Sequence, residues 1–134
     1  MRVTSVFLYV RDVVRSLEFY NEIMMAEIVQ LHSEHQGGPI TLAILRIHDF
    51  TIMLHPQDAH SAEFDQNRVG LGIHLQLQVP DVDAFYQHSL EEGAYLSLSG
   101  EPVDQPWGWR EVALKDPDGY IWSVYQDLSG GQWT

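Results

Sequence analysis

The sequence has no cysteine, only one lysine, and no long apolar run. Without cysteine, neither a disulfide nor a thiolate metal site can form. No segment approaches the ~20 consecutive apolar residues that a membrane-spanning helix needs. The N-terminal residues MRVTSVFLYVRD lack the apolar stretch and the small-residue cleavage site of a signal peptide. These absences favour a cytoplasmic protein that does not associate with a membrane.

Basic residues are scarce as a class. Lys and Arg total 7 against 19 Asp and Glu, which gives a formal net charge of −12 at pH 7. Proteins that bind nucleic acids neutralise phosphates with clustered Lys and Arg, so we do not expect a nucleic-acid partner. An acidic surface attracts cationic ligands, although the same charge also simply keeps a protein soluble.

A faint internal repeat organises the chain. YVRDV at residues 9–13 resembles QVPDV at 78–82, and DFTIMLH at 49–55 resembles GYIWSVY at 119–125. Both pairs are separated by about 70 residues, which indicates two tandem copies of one unit. We therefore predict a single domain, residues 1–134, composed of module one at about 1–56, a polar linker at about 56–70 and module two at about 71–127.

Each copy has the pattern βαβββ. An alternating strand, TSVFLYV or GIHLQLQV, is followed by an Asp that caps a helix, Asp12 in the first copy and Asp81 in the second. Three more strands follow each helix, and those of module two are predicted at about 95–98, 109–115 and 120–125. The predicted fold class is α+β, with two tandem βαβββ modules forming curved mixed sheets around a cleft and helices on the outer face.

Alternation along the strands sorts the side chains onto two faces. One face is apolar, and it should pack under the helices; it includes Ile73, Leu75, Leu77 and Val79 on the first strand of module two, and Ile52, Leu54, Trp122 and Val124 on the last strands. The opposite face mixes aromatic and polar side chains: Phe7, Tyr9, Met53, His55, His74, Gln76, Gln78, Ser123 and Tyr125. Such a mixture is typical of a small-molecule cleft. A subunit interface is the alternative interpretation.

The segment DQPWGWRE contributes two tryptophans to the entry of the penultimate strand. Trp107 and Trp109 suit stacking on planar or cationic ligands, although either could simply pack the end of the strand. Arg110 could pair with Glu111, with Glu101 or with a ligand carboxylate, and the sequence does not choose among them.

Taken together, the two βαβββ copies, YVRDVVRSLEFYNEI and WGWREVALKDPDGYIWSV resemble the glyoxalase/bleomycin-resistance/extradiol-dioxygenase group, the vicinal oxygen chelate superfamily. The resemblance covers essentially the whole chain. Its pattern PWGWRE…DPDGY is most similar to the bleomycin-resistance-type binding proteins. This scaffold hosts metalloenzymes and metal-free binding proteins alike, so the resemblance predicts the fold more firmly than the function.

The resemblance implies four metal-ligand positions on the first and last strands of the modules. They fall on Ser5 and Met53 in module one and on His74 and Ser123 in module two. Hydroxyl and thioether groups are poor ligands for the divalent metals of this family, so neither the usual metal site nor any other cofactor is expected. A rearranged site that uses His74, His55 and Glu111 is the alternative.

These features favour a metal-free protein that binds an antibiotic or another natural product over an enzyme, and no residue is assigned a catalytic role. The ligand would be planar or cationic. The expected ligand-binding residues are Phe7, Tyr9, Met53, His55, His74, Gln76, Gln78, Trp107, Trp109, Glu111, Ser123 and Tyr125.

Two other functions remain open. One is a lyase, isomerase or dioxygenase with a rearranged metal site, or a cofactor-free catalyst that uses a His74–Glu111 or His55–Tyr125 acid–base pair. The other is a dimeric accessory module whose aromatic face is only an interface. The resemblance also implies a homodimer.

Overall fold

The computed structural model describes residues 1–57 and 69–130. The chain divides into two compact units, Met1–Leu71 and Gly72–Thr134. Most of the predicted linker, at about 56–70, lies outside the described residues. None of the helices in the described ranges combines the length and the apolar character needed to cross a bilayer.

The first unit is a four-stranded mixed sheet with one helical segment. Its elements are β1 (Ser5–Val10), α1 (Val13–Glu18, continued by a π-helical turn at Phe19–Ile23), β2 (Glu27–Ser33), β3 (Ile40–Ile47) and β4 (Phe50–Pro56). The strand order is β1-β4-β3-β2. Strand β1 runs parallel to β4, and the other two pairs are antiparallel.

The second unit repeats this arrangement. Its elements are β5 (His74–Gln78), α2 (Val82–Glu91), β6 (Val103–Asp104), β7 (Trp109–Lys115) and β8 (Ile121–Asp127). The strand order is β5-β8-β7-β6, and β5 runs parallel to β8. Both units therefore have the order βαβββ, which confirms the predicted α+β fold class.

An aspartate begins the helix in each unit at the predicted position. The Asp12 carboxylate accepts a hydrogen bond from the Arg15 backbone N–H at 3.2 Å, and the Asp81 carboxylate accepts one from the Ala84 N–H at 3.0 Å. Each bond satisfies a donor that the first turn of a helix leaves unpaired. Gly93 follows α2 with a φ of 82°, a left-handed conformation that glycine adopts without strain.

The helix of the first unit widens at its C-terminal end. Phe19 and Tyr20 are buried in the π-helical turn, with their ring centroids 5.1 Å apart in an edge-on contact. The Asn21 side-chain amide then donates to the Ala26 carbonyl at 2.9 Å. This bond closes the end of the helix before the chain enters β2.

The core of each unit lies between its helix and the apolar row of its sheet. Alternation correctly predicts the burial of the last strands, where Ile52 and Trp122 are 0% and 2% exposed. The first strands differ between the units. Leu8 in β1 is fully buried, whereas Leu75 and Leu77 in β5 are only partly buried.

The predicted strand at 95–98 is wrong. These residues form turns, and only Leu98 makes an isolated bridge, to Leu114. The second strand of the unit is instead the short β6, which pairs with β7. Pro102 stands between the two paired stretches and cannot donate a ladder hydrogen bond, so the edge strand is interrupted there.

Arg110 joins α2 to the β6–β7 hairpin. Its Nη2 donates to the Asp83 carboxylate at 3.1 Å, and its Nη1 donates to the Asp104 carboxylate at 3.0 Å. The hydrogen bond to Asp83, and after it the bond to Asp104, raises the pKa of Arg110 above its ordinary value. Its partners are therefore not the two glutamates considered from the sequence, and the guanidinium is committed to the α2 side of the sheet.

The acidic turn before β8 is organised by one buried carboxylate. Asp116 is 5% exposed, and its Oδ1 accepts hydrogen bonds from the backbone N–H groups of Asp118 and Tyr120, both at 2.9 Å. Gly119 in the same turn has a φ of 96°. The turn thereby reverses the chain, so that β8 runs antiparallel to β7.

We expect Asp116→Ala to lower the free energy of unfolding by about 2 kcal/mol, because two backbone N–H groups lose their acceptor. Asp116→Asn keeps one acceptor oxygen and should cost less. Urea denaturation followed by far-UV circular dichroism measures both changes. Asp118→Ala is the matched control in the same turn. Equal stability of Asp116→Ala and the parent protein would contradict this role.

Candidate functional site

The predicted site residues of the first unit lie together on one face of β1 and β4. The register places Phe7 beside Met53 and Tyr9 beside His55. The ring centroid of Phe7 lies 5.3 Å from that of Tyr9 and 5.4 Å from that of His55. The centroids of Tyr9 and His55 are 5.9 Å apart. Phe7 remains 43% exposed. The three rings form an aromatic cluster with a surface open to solvent.

Strand β3 adds to this face two residues that are not among the predicted site residues. Ile44 pairs with Met53, and Arg46 pairs with Thr51. Because paired residues in neighbouring strands point to the same face, Ile44 extends the apolar surface and Arg46 adds a positive charge to it. Alternation within ITLAILRI was the signal that could have found them.

A direct hydrogen bond joins two predicted site residues of the second unit. The His74 Nε2 lies 2.7 Å from the Ser123 Oγ. Ser123 is 7% exposed, whereas His74 is exposed. The hydroxyl donates to the ring nitrogen or accepts from it according to the histidine tautomer, so either way each group satisfies the other.

The other polar site residues share this face. Gln76 pairs with Ser123, and Gln78 pairs with Tyr125, which also pairs with Glu111 on β7. The structure therefore brings the predicted residues of β5, β7 and β8 onto one surface of the second unit.

The two tryptophans play different parts. The Trp109 ring stacks on Tyr125 with centroids 3.8 Å apart and an interplanar angle of 13°. Trp107 meets Trp109 edge-on at 6.5 Å and is 44% exposed. Trp109 thus packs against the sheet, while Trp107 presents an aromatic surface to solvent.

His74 and Glu111 do not form the acid–base pair considered from the sequence. His74 pairs with Ile121, whereas Glu111 pairs with Tyr125, four residues further along β8. His74 on β5 and Glu111 on β7 are two strands apart, which separates them by about 10 Å across the sheet. The four-residue offset between their partners on β8 separates them by about 13 Å along the strands. His55 and Tyr125 belong to different units.

The four positions implied as metal ligands are equivalent in the two units. Ser5 pairs with the residue two before Met53, and His74 pairs with the residue two before Ser123. The donors at these positions are two hydroxyls, a thioether and one imidazole, which do not fit a divalent metal. Within residues 1–57 and 69–130, no group of three or more His, Asp or Glu side chains could hold a metal ion.

Related sequences extend over almost the whole chain. An uncharacterised protein of Mycobacterium bovis is 33% identical over 129 residues, which cover 92% of this chain and 82% of that protein. An uncharacterised protein of Mycobacterium tuberculosis is 33% identical over 129 residues, which cover 92% of this chain and 74% of that protein.

Solved structures share the fold. TioX from Micromonospora has a TM-score of 0.73 and 20% identity, covering 96% of this chain and 100% of that chain. TnmS3, an antibiotic-binding protein from Streptomyces, has a TM-score of 0.72 and 22% identity, covering 95% of this chain and 96% of that chain.

The sequence also matches a family model over residues 2–124. That match agrees with the resemblance noted in the sequence. The two βαβββ units are the corresponding fold. The chain belongs to the Glyoxalase/Bleomycin resistance protein/Dioxygenase superfamily.

Proposed function

We propose that this protein binds a small molecule, such as an antibiotic or another natural product, and sequesters it without a metal. The observation that carries the proposal is the 2.7 Å hydrogen bond between His74 and Ser123. It joins two of the four positions that the family resemblance implies as metal ligands. At these positions the chain has a polar contact between two side chains.

Exposed aromatic surfaces support a planar or cationic ligand. The cluster of Phe7, Tyr9 and His55 in the first unit and Trp107 in the second offer ring faces for stacking. Stacking and cation–π attraction are strongest for flat or positively charged molecules. The net charge of −12 adds a field that draws cations towards the protein.

The polar side chains on the same face of the second unit would orient the ligand. Gln76 and Gln78 each carry both donors and acceptors, and Glu111 can pair with a ligand cation. A few polar groups on a largely apolar surface are the usual means of fixing a ligand's orientation. TnmS3 is itself described as an antibiotic-binding protein, which is consistent with this use of the fold.

We further propose that the protein acts as a homodimer. All seven residues of β2 are exposed, and Ile28, Val29 and Leu31 are 39%, 40% and 44% exposed. Strand β2 is an edge of its sheet, and an exposed apolar edge is prone to pair with another chain. Analytical ultracentrifugation over a range of concentrations tests the assembly.

We expect no stoichiometric metal after incubation with Mn²⁺, Ni²⁺, Zn²⁺ or Fe²⁺ and removal of the excess, because hydroxyl and thioether groups are weak ligands. Elemental analysis of tag-free protein measures the metal content. His74→Ala is the test variant, and His32→Ala, on the exposed strand β2, is its control. One metal per chain that is lost only in His74→Ala would instead indicate an enzyme with a rearranged metal site.

We expect a planar cationic dye such as acriflavine to bind without being chemically changed. Trp107→Ala should weaken binding by roughly twofold to thirtyfold, because a stacking surface is lost, whereas Trp107→Phe should lose less. Isothermal titration calorimetry measures the affinities, and chromatography of the recovered dye checks for turnover. Tyr95→Ala, which removes another aromatic ring that is 68% exposed, is the control. Equal effects of the Trp107 and Tyr95 changes would refute the assignment.

A further inference from the structure

The second unit contains a recess that the site described above does not use. It has a volume of about 390 Å³ and lies where the interrupted edge strand runs beside the C-terminal end of β7. Small-molecule pockets commonly measure about 300–1,000 Å³. The recess is therefore large enough to hold a small organic molecule.

Small side chains create the recess. The Ser97 carbonyl accepts a hydrogen bond from the Lys115 N–H at 2.8 Å, and the Ser99 N–H donates to the Ala113 carbonyl at 2.8 Å. These bonds set the two serines directly across from β7. Serine and alanine side chains are too short to fill the space above the backbone, so a depression remains between them.

The lining combines apolar walls with one positive charge. Leu98 and Ile121 line the recess with apolar groups, the exposed Leu96 lies at its rim, and Lys115 supplies the ammonium group. Lys115 is the only lysine in the sequence. Its side chain is exposed, and none of the ion pairs among residues 1–57 and 69–130 involves it. The ammonium is thus available to a ligand.

The recess is separate from the aromatic rings of Trp107, Trp109 and Tyr125 in the same unit. Trp109 and Lys115 are the two ends of β7, and six residues of strand span about 20 Å. The His74–Ser123 pair lies beside the recess, because Ile121 pairs with His74 and Ala113 pairs with Ser123. A molecule stacked on Trp107 would not fill this space.

We propose that the recess binds an apolar small molecule that carries an anionic group, such as a carboxylate or a sulfonate. The anionic group pairs with the Lys115 ammonium, and the apolar part contacts Leu96, Leu98 and Ile121. This inference goes beyond the proposed function, since it concerns a ligand of opposite charge at the other end of β7, and it does not depend on that function.

The test compares two fluorescent probes that differ in charge. One is 1-anilinonaphthalene-8-sulfonate, and the other is N-phenyl-1-naphthylamine, which has the same rings without the sulfonate. We expect one molecule of either probe to bind per chain. Lys115→Met should weaken sulfonate binding about fivefold and leave the neutral probe unchanged, while Lys115→Arg should retain both.

Three further variants test the location. Ala113→Trp should fill the recess and abolish binding of both probes, whereas Ala84→Trp, on the exposed side of α2, should not. Leu96→Asp, at a residue whose side chain is fully exposed, should weaken the sulfonate more than the neutral probe by repulsion. Circular dichroism confirms that each variant is folded.

Three outcomes would overturn the proposal. The first is sulfonate binding that survives both Lys115→Met and Ala113→Trp. The second is displacement of the sulfonate probe by acriflavine with equal stoichiometry, which would make the two sites one. The third is no binding of either probe together with a monomer–dimer equilibrium altered by Ala113→Trp, which would make the recess a self-association surface. Failure of acriflavine to bind would count against the proposed function alone.

Discussion

The parallel pairing of the first and last strands of each unit is the constraint on which the rest of the structure depends. Parallel neighbours cannot be joined by a tight turn, so the helix and two further strands must form the connection between them. The pairing also decides which side chains meet. It sets Gln76 beside Ser123 and Phe7 beside Met53, and a slip of one residue would send every site residue to the helix-facing side.

The same pairing fixes where the site side chains lie but not which residues occupy those positions. The registers of the two units place the four positions that the family resemblance implies as metal ligands at equivalent points of each sheet, whatever residues occupy them. In this chain Ser123 and His74 occupy two of these positions, and the two groups satisfy each other at 2.7 Å. The framework is thus inherited from the fold, whereas the function follows from the donors placed on it.

Local patterns predicted most of the fold, because alternation and helix capping act within a few residues of sequence. Alternation failed at 95–98, where YLSL has the period of a strand but a proline soon interrupts the pairing. Alternation predicted which strand residues share a face, but it did not predict their side-chain contacts. Arg110 binds Asp83, which lies 27 residues away in sequence, and Trp109 stacks on Tyr125 across two strands. Such partners are chosen by tertiary packing, which composition and spacing do not reveal.

An acidic protein can hold an anion because net charge and local charge act over different ranges. The charge of −12 sets the long-range field, which favours the approach of cations, but that field is screened within about 8 Å at physiological ionic strength. Inside a recess, the interaction energy is decided by the groups in contact with the ligand. The one lysine of the chain, Lys115, lines the recess beside apolar side chains, so its charge can act on a ligand at contact distance. The sequence-wide preference for cations and a local preference for an anionic group are therefore compatible in one chain.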